Sequence, residues 1–217
     1  MNNIELSTNP DHVAVLDVGT YLGDFFESNN IQKFCKQISA HENEDFATKI
    51  INNSARLAWI ADKIDSVAKG RPAFQIMFYM MIAESSAKLE DNFTKNGKSK
   101  HYSVKFFENF LTDHYSSALL SAFKNARSQE FLNIKEAATL LYELRCDLAH
   151  EGKYFCFNLK IENDSPVVNT FVEPNIISHI TLIELKQIVL NGALNAALST
   201  IENEKLLSKY RISSLWA

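Results

Sequence analysis

Glycine and proline are scarce, with 6 and 4 in 217 residues. That is too few for a sandwich or barrel of many tight turns, and too few for a glycine-rich nucleotide fold, so a mainly helical chain is expected. The three cysteines, Cys35, Cys146 and Cys156, are odd in number and show no Cys-x-x-Cys spacing. Neither a disulfide framework nor a cysteine-rich zinc site is indicated, and a reducing compartment is the simpler reading. Basic charge is not in excess: 22 Lys and Arg against 26 Asp and Glu leave a net charge of −4. Such a chain does not coat nucleic acid nonspecifically, and any contact with a polyanion must be local. The strongest apolar run, Ala73 to Ala83, has 11 residues, where a bilayer needs about 20. The N-terminus, Met1-Asn-Asn-Ile-Glu, lacks the basic and apolar regions of a secretory signal. A cytoplasmic protein without membrane contact is expected.

What is present is globular in kind: 46% hydrophobic and 22% charged residues, with a mean hydropathy of −0.15. The length fits one domain, or one domain with an extension. Residues 1–42 have weak periodicity and are read as an N-terminal extension, in which Phe25, Phe26, Ile31, Phe34 and Ile38 could line a short helix. Residues 43–210 are read as the helical domain. From Glu44 to Lys69 the apolar positions Phe46, Ile50, Leu57, Ile60, Ile64 and Val67 predict an amphipathic helix that stops at Gly70. Pro72 suits the first turn of the next helix, whose apolar residues run all round and place it at the centre of a bundle. A basic loop, Asn92 to His101, precedes a third helix carrying Val104, Phe107, Phe110 and Leu111. A short fourth helix is expected over Asp113 to Arg127. Asn133 and Glu136 form a variant capping box for a fifth helix ending at Gly152. Residues 154–161 then alternate with period two, and Glu162 to Pro166 turns the chain into Val167–Val172, which reads as one β-hairpin. A second capping box, Thr181-Leu-Ile-Glu184, opens a final long helix. The expected fold is thus mainly α, a helical bundle with one small β-hairpin before the last helix.

Several motifs are excluded. Lys95-Asn-Gly-Lys-Ser99 has the tail of a phosphate loop but Asn92 where the first glycine belongs, and a helix rather than a strand before it. Neither HExxH nor GxSxG occurs, and no metal or cofactor is expected. Asp113-His114 reads as a helix start, because adjacent helical residues do not face each other. The informative stretch is Leu141-Tyr-Glu-Leu-Arg145-Cys-Asp-Leu-Ala-His150-Glu-Gly152. On an ideal helix Arg145 lies about 40° from Leu141, on the apolar stripe, while His150 lies about 140° from Arg145. The two converge only if the helix loosens near Gly152, or if Arg145 of one chain meets His150 of another. The plainer roles are a helix-dipole cation for His150 and an ion pair with a buried acid such as Glu84 for Arg145.

Arg145-Cys-Asp-Leu-Ala-His150 resembles the Arg-x4-6-His signature of the HEPN superfamily, an all-helical group. Its position at the end of a late bundle helix, the acid Glu84 on the apolar helix and the aromatic stretch Phe106-Phe-Glu-Asn-Phe110 between them extend the likeness over about residues 45–205. Cys146 stands directly after the arginine, where many active members have a polar residue, and Asp147 follows. The resemblance implies a metal-independent endoribonuclease formed by a homodimer, with Arg145 and His150 of both chains lining one cleft. A histidine can take the proton of an RNA 2′-hydroxyl, whose oxygen then attacks the phosphorus, and a guanidinium can stabilise the phosphorane charge. Asp147 is placed to orient the imidazole, Glu84 to hold Arg145, and Lys95, Lys98, Lys100 and Lys105 to contact RNA phosphates. The family also implies a toxin or phage-defence effector under an antitoxin or regulatory protein. The competing class is a noncatalytic dimeric module that binds a nucleotide or a protein. A nuclease should expose Arg145 and His150 in one basic cleft, whereas a scaffold should bury Arg145 on a carboxylate.

Overall fold

Helix caps and apolar periodicity set most of the element boundaries. A computed structural model of the protein describes residues 46–64, 66–68, 70–93 and 97–214, with side chains described as far as residue 201. The extension assigned to residues 1–42, with its aromatic positions and Cys35, lies outside the described residues. The order is α1 (Phe46–Ile64), α2 (Pro72–Glu90), α3 (Ser99–Asn109), α4 (Asp113–Leu120), β1 (Phe123–Asn125), α5 (Ile134–Glu151), β2 (Val167–Asn169), β3 (Ile176–Ser178) and α6 (Leu182–Ser214). The mainly α expectation holds. Both capping boxes form: the Asn133 side-chain Oδ1 accepts from the Glu136 N–H while the Glu136 carboxylate accepts from the Asn133 N–H, each at 2.9 Å. At the start of α6 the Thr181 N–H donates to Glu184 Oε2 at 2.7 Å, and the Glu184 N–H donates back to Thr181 Oγ1 at 3.2 Å.

α2 packs against α1, α3, α5 and α6, as its all-round apolar sequence requires. Ile76, Tyr79, Ile82 and Ala83 of α2 are fully buried beside Ile50 of α1, Phe106 and Phe107 of α3, Leu141 of α5 and Val189 of α6. α6 passes α3 so closely that a Cβ at Gly192 would meet Phe106 Cζ at 2.5 Å, Phe106 Cε1 at 2.9 Å and Leu111 Cδ2 at 3.2 Å. The missing side chain is what admits the Phe106 ring.

Three boundaries differ from the sequence reading. α1 ends at Ile64 rather than Lys69. The helix expected over Asp113 to Arg127 stops at Leu120, where the Ser121 hydroxyl donates to the Ser117 and Ala118 carbonyls, and the Asn125 side chain then accepts the main-chain N–H groups of Arg127 and Ser128 in the turn after β1. Side chains of this kind compete with helical bonding. Phe123 is thereby buried in β1, which pairs antiparallel with β3. The sheet accordingly has three strands in the order β1-β3-β2. A hairpin does precede the last helix, but it joins β2 to β3 rather than residues 154–161 to Val167–Val172. Residues 154–161 form no strand. Phe157 and Leu159 are buried, but Phe155 and Ile161 of the same alternation are exposed, and the buried Asn169 amide takes the place of a neighbouring strand. Its Oδ1 accepts the Asn158 N–H at 2.7 Å and its Nδ2 donates to the Asn158 carbonyl at 3.0 Å.

Gly192→Ala tests the α3–α6 approach. In an unobstructed helix this change stabilises by about 1 kcal/mol; here the contact with Phe106 reverses the sign, and a net loss of about 1–3 kcal/mol is expected. Urea unfolding at constant m-value measures it, and a gain in stability would show that Phe106 gives way freely.

Candidate functional site

Glu84 lies in the second-last turn of α2 and gathers three elements. Glu84 Oε1 accepts from Lys88 Nζ at 2.6 Å, a pair at the favoured i,i+4 spacing, and from Ser99 Oγ of α3 at 2.7 Å. Arg145 of α5 approaches Oε2 with Nη2 at 3.6 Å. That distance lies beyond a good hydrogen bond, so the guanidinium is tethered by charge rather than clamped. Its Nη1 is 4.0 Å from Cys146 Sγ, and its carbon stands 5.9 Å from the centre of the Tyr142 ring. Arg145 keeps 24% of its side chain exposed. Burial pushes the Glu84 carboxyl up, but the hydrogen bonds from Lys88 and Ser99 and the charges of Lys88 and Arg145 outweigh it and hold it below the ordinary carboxylate value. A hydrogen bond with Cys146, then burial, pushes the Tyr142 hydroxyl up.

α5 stays helical through Glu151, and the Gly152 N–H still bonds the Leu148 carbonyl at 3.1 Å. Gly152 then takes the left-handed conformation, with φ of 65°. The loosening that would let Arg145 and His150 of one chain converge is therefore absent. His150 is exposed, with no hydrogen bond or ion pair among the described residues. Asp147 sits one turn before it, half-buried, and makes no side-chain hydrogen bond to it; its carbonyl accepts from Gly152 and Lys153.

The lysines expected at a phosphate surface are mostly neutralised. Lys100 pairs with Glu143 at 3.1 Å, and Lys105 with Glu90 and Asp91 at 3.1 and 3.2 Å. Lys98 is exposed and its ammonium lies 5.4 Å from the Phe93 ring centre, while Lys95 lies outside the described residues. A groove of about 690 Å³ between α3 and α5 is lined by Lys100, His101, Lys105, Glu108 and Lys135 among others, and by neither Arg145 nor His150. Among the described residues no three His, Cys, Asp or Glu side chains converge, and no helix is long and apolar enough to cross a membrane.

The Glu84–Arg145 pairing follows the sequence reading; Lys88 and Ser99, which complete it, do not. The i,i+4 spacing would have found Lys88, whereas nothing in the local sequence points Ser99 at Glu84. No family model, no curated protein and no solved structure matches the chain.

Because the folded-state acidity of Glu84 is raised, the stability it contributes is fully present above the ordinary carboxylate value of 4.5 and is lost as pH falls through its lower folded value. Glu84→Gln should cost about 1–2 kcal/mol near neutrality, discounted from a fully buried pair for its partial exposure. Urea unfolding of both proteins from about pH 7 to about pH 3.5 should show the gap closing. A gap that is constant across that range would mean that Glu84 acts by packing alone.

Proposed function

We propose that the chain is a metal-independent endoribonuclease of HEPN type that works as a homodimer, with Arg145 and His150 of two chains lining one cleft. The observation that carries this reading is the state of the two side chains. His150 is exposed and unpartnered, and Arg145 is held beside Glu84 at 3.6 Å with most of its five donors uncommitted. Their separation on an unbroken helix favours a site composed across two chains over one within a chain. In this reading the His150 imidazole takes the proton of an RNA 2′-hydroxyl and the freed oxygen bonds to the adjacent phosphorus. The bond to the 5′-oxygen breaks, leaving a cyclic phosphate, and that oxygen takes up a proton. Arg145 donates to the phosphorane oxygens. DNA, without the 2′-hydroxyl, binds without reaction. A role as a toxin or phage-defence effector under an antitoxin, and a cytoplasmic location, rest on the resemblance and on composition alone.

The Glu84–Arg145 ion pair favours a second reading. In it the same dimer is a noncatalytic nucleotide-binding or protein-interaction module, and Arg145 and His150 serve structure.

RNA cleavage in EDTA by the wild type, His150→Ala and Arg145→Ala, with light scattering for mass, separates the two. The nuclease reading expects cyclic-phosphate ends from a dimeric wild type and losses of about 10²–10⁴-fold in each folded variant. An inert wild type, or a His150→Ala protein that cuts equally well, would transfer the site to the second reading.

A further inference from the structure

Beyond the last turn of α5 the chain builds a run of ring contacts that the cleavage chemistry does not use. Tyr154 stacks on Phe74 of α2 with centroids 5.6 Å apart and planes inclined by 19°. Phe155 meets Tyr154 edge-on at 5.6 Å, and Phe171, just past β2, meets Phe155 edge-on at 6.4 Å. Arg71 places its guanidinium carbon 5.8 Å from the centre of the Tyr154 ring, and it pairs with no carboxylate among the described residues. Tyr154, Phe155 and Phe171 remain 42%, 51% and 74% exposed. Rings of this size are normally buried, so an exposed series fixed by its own contacts is a surface waiting for flat partners.

We infer that this aromatic face is the stacking platform for unpaired RNA bases, an inference that rests on the ribonuclease reading above and names its substrate as single-stranded RNA. Three observations favour nucleobases. The Phe155 and Phe171 rings meet edge-on and stay 51% and 74% exposed, so ring surface remains open on each, and base stacking on such rings tolerates any sequence. The one uncompensated cation in the run is a guanidinium lying on a ring, the arrangement that also stacks on bases. In an acidic chain whose lysines at 88, 100, 105 and 153 are paired with carboxylates, phosphate contacts supply little affinity, and stacking supplies the rest. Position agrees: Tyr154 follows His150 by four residues, so their Cα atoms are at most about 14 Å apart. The Tyr154 N–H bonds the Gly152 carbonyl at 2.9 Å, which fixes the first ring of the platform beside the histidine.

Fluorescence anisotropy with a labelled unpaired oligoribonucleotide, the DNA of the same sequence and an RNA duplex tests this, alongside cleavage of the same RNA. Wild type should bind the unpaired RNA and DNA alike and the duplex at least about tenfold more weakly. Phe155→Ala and Phe171→Ala should each weaken binding about tenfold, the loss of one stack, and Phe155→Tyr should restore it. The salt dependence should be shallow, with a slope near that of about one phosphate contact. If the wild type cuts RNA while neither phenylalanine variant changes binding or cutting, the platform is wrong and the ribonuclease reading stands. If the wild type cuts nothing yet binds through Phe155 and Phe171, the ribonuclease reading is wrong and the platform stands. If the variants lower the mass in light scattering and leave binding unchanged, the face is a subunit contact and the inference is overturned.

Discussion

A single half-buried carboxylate holds the arrangement of α2, α3 and α5 near the motif. Glu84 carries one negative charge and faces two cations, Lys88 and Arg145, and one hydroxyl, Ser99. Ions taken partly out of water are costly unless their lone pairs and protons are satisfied. The cluster meets that condition unevenly: Oε1 is bonded twice at short range, while Oε2 has only the distant guanidinium. The uneven sharing leaves the cluster one positive charge in excess, and that excess resides on the group least firmly held. Arg145 is thus oriented by the fold and yet retains donors for an incoming anion.

In the proposed reading, the aromatic face recognises the bases and the Arg145–His150 pair carries the chemistry. Stacking is indifferent to the sugar, so it cannot distinguish RNA from DNA; proton removal from the 2′-hydroxyl can. An acidic chain with compensated lysines is poorly suited to tracking a phosphate backbone. The aromatic run beyond Gly152 offers a contact whose strength does not depend on net charge.

The helices were legible because their signals are local. Asn133 and Glu136, Thr181 and Glu184, and Pro72 each declare a helix start within four residues, and the unbroken apolar character of 74–83 declares a central position. The sheet was not, because its decisive groups are side-chain amides acting at a distance. Asn125 makes a turn where a helix through Arg127 was expected, and Asn169 stands in for a strand that the alternation at 155–161 predicts. At the site, the Arg145–Glu84 pairing could be read from a guanidinium on an apolar stripe in need of an acid. The aromatic face could not, since Tyr154 and Phe155 were absorbed into that apparent strand.

The register of β1 on β3 has a mechanical meaning. Asn125 pairs with Ile176, which closes a ring of chain in which α5 is the rigid arc. The near side of that ring is tightened by the Leu132 N–H bonded to the Phe123 carbonyl at 2.9 Å, just before the Asn133 cap. The far side is tightened by Asn169 on Asn158. A shaft fixed at both bearings neither spins nor slides, and because Arg145 and His150 ride on the same shaft, no turning of α5 changes the distance between them. The geometry of the motif is therefore locked within the chain.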